Sequence, residues 1–250
     1  MLKPQISEKL NGVIWRLEID GITETIVLEI RNDSEKQVSF TSINLQSGKV
    51  NFKDLTTDER WLTGIETVHD GVLLLHNYQS ESGPAHKALI AVNAETGETL
   101  WSNYVLAFNH LSTNGPVVYN TPILPKKLLL ADIHTGSQVR AFNTVIDLSV
   151  ETDILAPQLL PAEFINTDLL PVKPYGNIHY LEYNNFRIIS LHTLSGDVLS
   201  QWLFIVDDTG IVYQDLLNAG IQKLQPEAFV LHKNWLICLK NKTELQVLEL

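Results

Sequence analysis

Cysteine is almost missing from this sequence of 250 residues, in which Cys238 stands alone. A single cysteine can form neither an internal disulfide nor a metal site with several thiolates. The N-terminal stretch MLKPQISEKLNG lacks the apolar core of a signal peptide, and apolar runs such as residues 202–206 fall far short of the ~20 residues that span a bilayer. We therefore predict a cytoplasmic protein with no membrane segment.

Basic residues are also scarce, with 18 Lys and Arg against 29 Asp and Glu, which gives a net charge of −11. A protein that binds a phosphate backbone needs clustered Lys and Arg, and the densest basic spot here is Lys126 next to Lys127. Nucleic acid and anionic membranes are therefore excluded as predicted partners. The evenly spread acidity favours solubility and repulsion between copies, which predicts a monomer.

A sustained helical period is absent as well. The best helical candidate, residues 215–224, is interrupted by Gly220. Short apolar segments such as residues 71–75 and 235–239 instead alternate with turn residues, as strands do. The sequence predicts an all-β protein of about twenty strands, whose sheets must close or stack because long exposed edges invite aggregation.

One pattern recurs along the chain, and its fullest copy is residues 91–101, AVNAETGETLW. Shorter copies end at Gly48, Gly136 and Gly196, and a degenerate turn follows at residues 241–242. The Asn or Asp at the start can accept backbone N–H bonds, and the glycine supplies the positive φ of a tight hairpin. The sequence predicts this hairpin as the repeating unit.

The spacing of the copies, about 40 to 60 residues, is that of a four-stranded propeller blade. Five such repeats fill the chain, which predicts a single β-propeller domain over residues 1–250. A sixth blade remains open if the stretch before Gly196 hides one. The turn at residues 207–210 lies too close to Gly196 to begin another blade, and we expect it to join one blade to the next.

Residues 91–101 resemble the tryptophan-docking motif of quinoprotein alcohol dehydrogenases, Ala-x-Asp-x-x-Thr-Gly-x-x-x-Trp, with Asn93 in place of Asp. The resemblance implies that Trp101 wedges between neighbouring blades, while Asn93, Thr96 and Gly97 fix the turn. In the other copies the tryptophan position is held by Phe52, Arg140 and Ser200. The chain also resembles a small uncharacterised bacterial family of similar length.

Quinone-dependent relatives of this motif hold pyrroloquinoline quinone over a calcium ion, beside a disulfide between adjacent cysteines. With Cys238 alone, this chain departs from that pattern, so we predict no cofactor. The resemblance therefore extends to the blade and not to the enzyme.

The sequence contains no recognisable catalytic constellation. None of the eight histidines forms a His-x-x-x-His or His-Glu-x-x-His pair, so no metal site is predicted; they are residues 69, 76, 86, 110, 134, 179, 192 and 232. We expect turn-forming roles for His134 and His192, and a weak functional candidate in His86, after a loop at residues 79–85 that is longer than a hairpin needs.

Other reactive groups receive structural interpretations. A Gly-x-Ser-x-Gly elbow, a Walker loop and a dinucleotide fingerprint are missing. Cys238 is expected to be a buried, inert thiol, and Asp207 and Asp208 a solvated turn. The five tryptophans, about one per repeat, favour packing between blades over a carbohydrate-stacking cluster. No catalytic, cofactor-binding or metal-binding residue is predicted.

Residues 143–176 interrupt the repeat with four prolines, at 157, 161, 171 and 174, and an excess of acidic residues. Apolar pairs within this insertion suggest that it docks on the domain, either as a divergent blade edge or as a cover across the ring.

Two functions remain open from the sequence. The first is a non-catalytic interaction or scaffold protein with a protein partner, by analogy with other propellers. The alternative is a propeller that binds a small molecule or glycan, and that could act as a hydrolase or lyase, where loops of several blades converge.

Overall fold

The computed structural model describes residues 2–165, 170–226 and 228–250. Strands dominate this part of the chain, and its helical structure is a single 3-10 turn at Ala162–Phe164. No helix among the described residues is long and apolar enough to cross a membrane. The strands form two compact units, residues Asn11–Thr152 and residues up to Leu10 together with Asp153–Leu250.

The unit Asn11–Thr152 contains three four-stranded antiparallel sheets, each a meander of consecutive strands. The first sheet contains β2 (Val13–Asp20), β3 (Thr25–Asn32), β4 (Gln37–Asn44) and β5 (Val50–Leu55). The second contains β6 (Thr63–His69), β7 (Val72–Ser80), β8 (Gly83–Asn93) and β9 (Thr99–Asn103). The third contains β10 (Leu106–Ser112), β11 (Gly115–Asn120), β12 (Leu129–Ala131) and β13 (Gln138–Ala141).

The other unit contains two five-stranded sheets. The fourth sheet has the order β15 (Gln158–Leu160), β16 (Ile178–Tyr183), β17 (Phe186–Ser195), β18 (Val198–Asp207) and β19 (Gly210–Ile221). The fifth has the order β1 (Ile6–Lys9), β22 (Glu244–Glu249), β21 (Trp235–Lys240), β20 (Phe229–His232) and β14 (Ile154–Leu155). The predicted fold class, an all-β chain of five propeller-type blades, is confirmed by these sheets, and the described residues hold no sixth.

The fifth sheet joins the two ends of the chain. Ile6 on β1 pairs with Val247 on β22, in an antiparallel register that runs from Ile6 to Lys9. Without β1, strand β22 would expose a row of unpaired backbone groups at the sheet edge. The N-terminal strand therefore completes the sheet that the C-terminal strands begin.

The core lies between neighbouring sheets of each unit. Strand β3 is buried on both faces from Thr25 to Ile30, as expected for a strand covered from two sides. Val27 and Phe40 of the first sheet pack with Ile65 and Leu73 of the second. In the other unit, Leu203 of the fourth sheet belongs to one apolar cluster with residues of the fifth, Leu231, Leu236 and Leu248.

The insertion at residues 143–176 supplies extra strands to the sheets. Strand β14 pairs with β20, and β15 pairs with β16, so each occupies one end of a five-stranded sheet. Asp147, earlier in the insertion, is instead buried in the unit Asn11–Thr152. Asp168 and Leu169, which also belong to the predicted insertion, lie outside the described residues.

Two expectations about turns are wrong. Residues 207–210 do not link two sheets but form the hairpin between β18 and β19, with Asp207 paired to Gly210. The Gly196 turn joins the middle strands β17 and β18, whereas the turns at Gly48, Gly97 and Gly136 each lead into the last strand of their sheet. Turn chemistry is local, so the same Ser/Thr-Gly signature serves hairpins at different places in a sheet.

In each of the three sheets of the unit Asn11–Thr152, the first strand contains a β-bulge. The register shifts between Ile14 and Arg16, between Ile65 and Thr67, and between Phe108 and His110. The extra residues are Trp15, Glu66 and Asn109. A bulge re-aims the side chain of the extra residue and leaves its backbone partly unpaired, and this determines the directions of the Trp15 and Glu66 side chains.

Candidate functional site

The repeat turns have the hydrogen bonds that their sequence predicts. Asn93 Oδ1 accepts the backbone N–H groups of Glu95 and Thr96, both at 2.9 Å. Gly97 has a φ of +77° and donates its N–H to the carbonyl oxygen of Asn93 at 2.9 Å. Asp132 holds the third-sheet turn in the same way, and its bonds from Thr135 lower the pKa of its carboxyl group.

Trp101 extends from β9 of the second sheet onto the third sheet. Its Nε1 donates to the carbonyl oxygen of Ile133 at 2.9 Å, and the ring packs beside Val72, Leu74 and Ala91. A Cβ atom at Gly136 would lie 2.7 Å from the ring. Trp101 thus contacts residues of both the second and the third sheet, and its role as a docking residue stays a prediction.

The first sheet repeats this arrangement with a smaller ring. Phe52 of β5 lies against Gly97, where a Cβ would come within 3.3 Å of the phenyl ring. At the corresponding place in the third sheet, Arg140 makes a two-pronged ion pair with the buried Asp147, with one Nη–O distance of 2.6 Å. Ser200 does not continue the series, because the Gly196 turn has a different position in its sheet.

A polar cavity of about 510 Å³ opens among turns of the three sheets of the unit Asn11–Thr152. Its wall includes Thr25, Asn44, Asn51, Asp70 and His134. His134 Nε2 lies 2.9 Å from Asp70 Oδ2, a contact between half-exposed side chains of two different turns. The turn placement predicted for His134 is therefore correct, and its ring also contacts a neighbouring sheet.

The second sheet brings together Glu66, His76 and His86, one from each of β6, β7 and β8. A potential ligand atom from each lies within 4.8 Å of those from the other two. Glu66 Oε1 is 2.7 Å from His86 Nδ1 and 3.4 Å from His76 Nδ1. The two imidazole rings stack in parallel with their centroids 3.6 Å apart.

His76 is the most buried member of this cluster, with 2% of its surface exposed. Neither of its ring nitrogens makes a hydrogen bond with any residue that the structure describes. Burial, followed by the nearby cationic groups His86, Arg16 and Arg31, lowers the pKa of His76 to about 3. Its imidazole is therefore neutral at physiological pH, and its lone pair is available.

Glu66 owes its position to the bulge in β6. Arg16 donates to the carbonyl oxygens of Ile65 and Glu66, at 2.7 and 3.0 Å, and so satisfies the backbone that the bulge leaves free. Burial raises the pKa of the Glu66 carboxyl group, and the contact with His86 opposes that rise. The side chain is thus a buried carboxyl group beside two imidazoles.

The histidine spacing in the sequence does not predict this cluster, because the two histidines of a His-x-x-x-His pair become neighbours on a helix and not on a strand. In a hairpin, residues at similar distances on the two sides of the turn become neighbours, and His76 and His86 flank the turn between β7 and β8 in this way. The expected long loop at residues 79–85 is wrong: β7 runs to Ser80 and β8 begins at Gly83. A hairpin prediction for residues 76–86 would therefore have indicated that His76 and His86 lie close together.

The other candidate residues have varied outcomes. His192 lies in strand β17 and not in a turn, and its Nε2 accepts the backbone N–H of Gln225 at 3.0 Å. The predicted burial of Cys238 is confirmed, and burial raises the pKa of its thiol to about 12. Asp207 caps its turn by accepting bonds from Thr209 and Gly210.

Trp15 contradicts the expectation that the tryptophans pack between sheets. It occupies the β2 bulge with 66% of its surface exposed. The Arg31 guanidinium lies 5.3 Å from the centroids of both the Trp15 and the Trp61 rings, and Lys36 lies over Trp61 at 4.7 Å. We call these four residues the tryptophan patch.

Comparisons with known proteins add little about function. A family model described as a domain of unknown function, DUF4905, matches residues 19–101, which is less than half of the chain. No curated protein matches the sequence.

Among solved structures, BamB from Moraxella catarrhalis is similar over 100% of both chains, at 9% identity and a TM-score of 0.34. The β-propeller domain of the Trilobed protease from Pyrococcus furiosus is similar over 93% of this chain and 78% of that one, at 12% identity and a TM-score of 0.36. Similarities this weak carry no inference about what this chain does.

Proposed function

We propose that this protein is a non-catalytic binding module that holds a protein partner against the tryptophan patch. The observation that carries the proposal is the exposed indole of Trp15 beside Arg31. Tryptophan and arginine are the residue types enriched among those that dominate binding energy in protein interfaces. A partner that packs an apolar side chain on Trp15 would bury a large aromatic surface.

The patch is held in place before any partner arrives. Arg31 Nη2 is 2.7 Å from Glu29 Oε1 and also donates to the carbonyl oxygen of Thr63 at 3.2 Å. Glu29 in turn accepts the backbone N–H of Ile65 at 3.0 Å. Because the guanidinium is fixed between two rings, binding costs little side-chain entropy at Arg31.

The test is affinity capture from the source cell with three purified forms of the protein: wild type, Trp15→Ala and Tyr104→Ala. Tyr104 is the matched control, because it is an aromatic residue of the same unit with 64% of its surface exposed. We expect wild type and Tyr104→Ala to capture the same partner and Trp15→Ala to lose it. Measured directly with the purified partner, the affinity of Trp15→Ala should be at least tenfold lower than that of wild type. A partner that all three forms retain equally would refute the proposal.

The proposal includes the predicted monomeric state and cytoplasmic location. Light scattering of the purified protein and fractionation of the source cell measure the two separately. A stable dimer that covers Trp15 would replace the foreign partner with a second copy of the chain.

A second candidate, the binding of a small polar molecule or glycan, is favoured by the cavity near Asp70 and His134. Its volume lies within the range of ligand pockets, and its wall offers hydroxyl, amide and charged groups. A thermal-shift screen with sugars and polar metabolites tests it. A hit that disappears in Asn51→Leu but persists in Trp15→Ala would assign the ligand to this cavity.

A further inference from the structure

The cluster of Glu66, His76 and His86 has the composition of a transition-metal site. Two imidazoles and one carboxylate are ligands that Zn²⁺ and related first-row ions accept, whereas Ca²⁺ and Mg²⁺ need more oxygen donors than this cluster supplies. We propose that these three side chains bind one divalent transition-metal ion of the Zn²⁺ type. The proposed binding of a protein partner does not require this ion, so the metal proposal is independent of the proposal for the tryptophan patch.

The state of His76 is the first argument. Its two ring nitrogens are buried and lack hydrogen bonds to the described part of the chain, although buried polar groups in native proteins are nearly always satisfied. A metal bond would give one of these nitrogens the directed bond that the described residues do not provide.

The spacing of the ligand atoms is the second argument. Bonds of about 2.0–2.2 Å from zinc to nitrogen and oxygen imply ligand atoms roughly 3.3–3.5 Å apart in a tetrahedron. The distance of 3.4 Å between His76 Nδ1 and Glu66 Oε1 fits this requirement. The hydrogen bond of 2.7 Å between His86 Nδ1 and Glu66 Oε1 must open by about 0.6–0.8 Å.

His86 is the residue that can make this adjustment. It is partly exposed, with 29% of its side-chain surface accessible, and lies near the end of the β7–β8 hairpin. Its ring must also turn out of the parallel stack on His76, because imidazole lone pairs lie in the ring plane. The same exposure gives an ion a route into the site and lets water occupy a fourth coordination position.

The charge around the cluster permits a cation. Arg31 is paired with Glu29, and Arg16 with Glu18 at 2.8 Å, so each nearby guanidinium has a carboxylate of its own. Glu66 has no such arginine or lysine partner among the ion pairs that the structure describes. A bound ion would therefore give the buried Glu66 side chain a cationic partner of its own.

The site also depends on Gly64 in β6. A Cβ atom there would lie 3.0 Å from His76 Cε1 and 3.0 Å from Glu29 Oε2. The absence of a side chain lets the imidazole approach the β6 backbone closely. The glycine therefore helps to set the depth at which His76 is held.

The experiment titrates Zn²⁺ into tag-free, chelator-treated protein by isothermal calorimetry, and repeats the titration with Co²⁺, followed by its visible absorption. The variants are His86→Ala, which changes a partly exposed residue, and Glu66→Gln, which keeps the side-chain shape. The control is His134→Ala, which removes a histidine that also contacts a carboxylate, Asp70, outside the cluster.

We expect one equivalent of Zn²⁺ to bind to wild type and to His134→Ala with equal affinity, and at least tenfold more weakly to His86→Ala and Glu66→Gln. We also expect Co²⁺ to give the strong visible bands of a tetrahedral site. If wild type binds no stoichiometric metal, the proposal is wrong. It is also wrong if His86→Ala retains wild-type affinity, and that test stands even if Glu66→Gln fails to fold.

Discussion

The indole ring of Trp101 lies so close to Gly136 that a Cβ atom at that glycine would come within 2.7 Å of it. Trp101 belongs to the last strand of the second sheet, and Gly136 closes the repeat turn of the third. The glycine therefore serves two purposes, because it supplies a φ of +69° and leaves space for the ring of the neighbouring sheet. Two consecutive copies of the repeat are thus in contact, through the aromatic residue of one copy and the turn of the next.

Gly136→Ala should destabilise the protein more than the same change at Gly196. Both glycines have positive φ, but an added Cβ at Gly196 meets nothing within 4 Å. We expect Gly196→Ala to cost about 1 kcal/mol through backbone strain alone, and Gly136→Ala about 2–4 kcal/mol through strain plus overpacking against Trp101.

The measurement is urea unfolding of both variants at neutral pH. In a Trp101→Ala background the extra cost at Gly136 should largely disappear, because neighbouring substitutions are not additive. Equal losses at the two glycines would mean that the ring contact has no energetic weight.

Trp101→Ala should reduce the free energy of unfolding by ~3–5 kcal/mol, because it removes a large aromatic side chain from the contact between two sheets. Glu98→Ala, on the exposed side of the same turn, should change it by no more than ~0.5 kcal/mol. Denaturant unfolding of the two variants compares them directly. A harmless Trp101→Ala would remove the docking role from this residue.

Asp147 should make the stability sensitive to acid. Chiefly through its hydrogen bonds with Arg140, the pKa of its carboxyl group lies below the ordinary value. A lowered folded-state pKa means that the contribution is complete above the unfolded pKa, about 4, and is lost as the pH falls through the folded value.

Wild-type stability should therefore decline from pH 5 to pH 2 more steeply than that of Asp147→Asn, which starts lower at pH 7. Urea midpoints at these pH values give the comparison. Parallel pH profiles of the two proteins would show that the ion pair contributes nothing to folding.

His192 should produce a second pH dependence in a higher range. Burial lowers its pKa from the ordinary 6.5, and its Nε2 must stay unprotonated to accept the N–H of Gln225. The folded state therefore binds its proton less tightly than the unfolded state, so the stability is complete above about pH 6.5 and falls as the pH drops below it.

In His192→Gln, whose side-chain oxygen can accept the same bond without titrating, the slope between pH 7 and pH 5 should be shallower than in wild type. Thermal unfolding across this range measures the slope. His110→Gln, which changes an imidazole whose described contacts are a hydrogen bond with Asn109 and an edge-on packing against Phe142, serves as the control and should leave the slope unchanged.

Local patterns in the sequence were sufficient for the strand content and for the chemistry of the turn at Asn93 and Gly97, but not for the place of every turn in its sheet. The all-β class follows from the missing helical period, and the turn chemistry of Asn93 and Gly97 follows from residues within a single hairpin. The docking role of Trp101 is a prediction of the same local kind, because its motif contains both the turn and the ring. Each of these inferences depends on neighbours separated by fewer than about a dozen residues.

The tertiary structure alone decided which distant side chains meet. The pairing of β1 with β22 joins residues at opposite ends of the chain, and no local period encodes that register. Glu66 reaches the two histidines only because a bulge shifts β6 by one residue, and a shift of one residue exchanges the faces of a strand. The same kind of bulge exposes Trp15 although its residue type predicts burial, since bulge position is set by pairing between strands rather than by the residue itself.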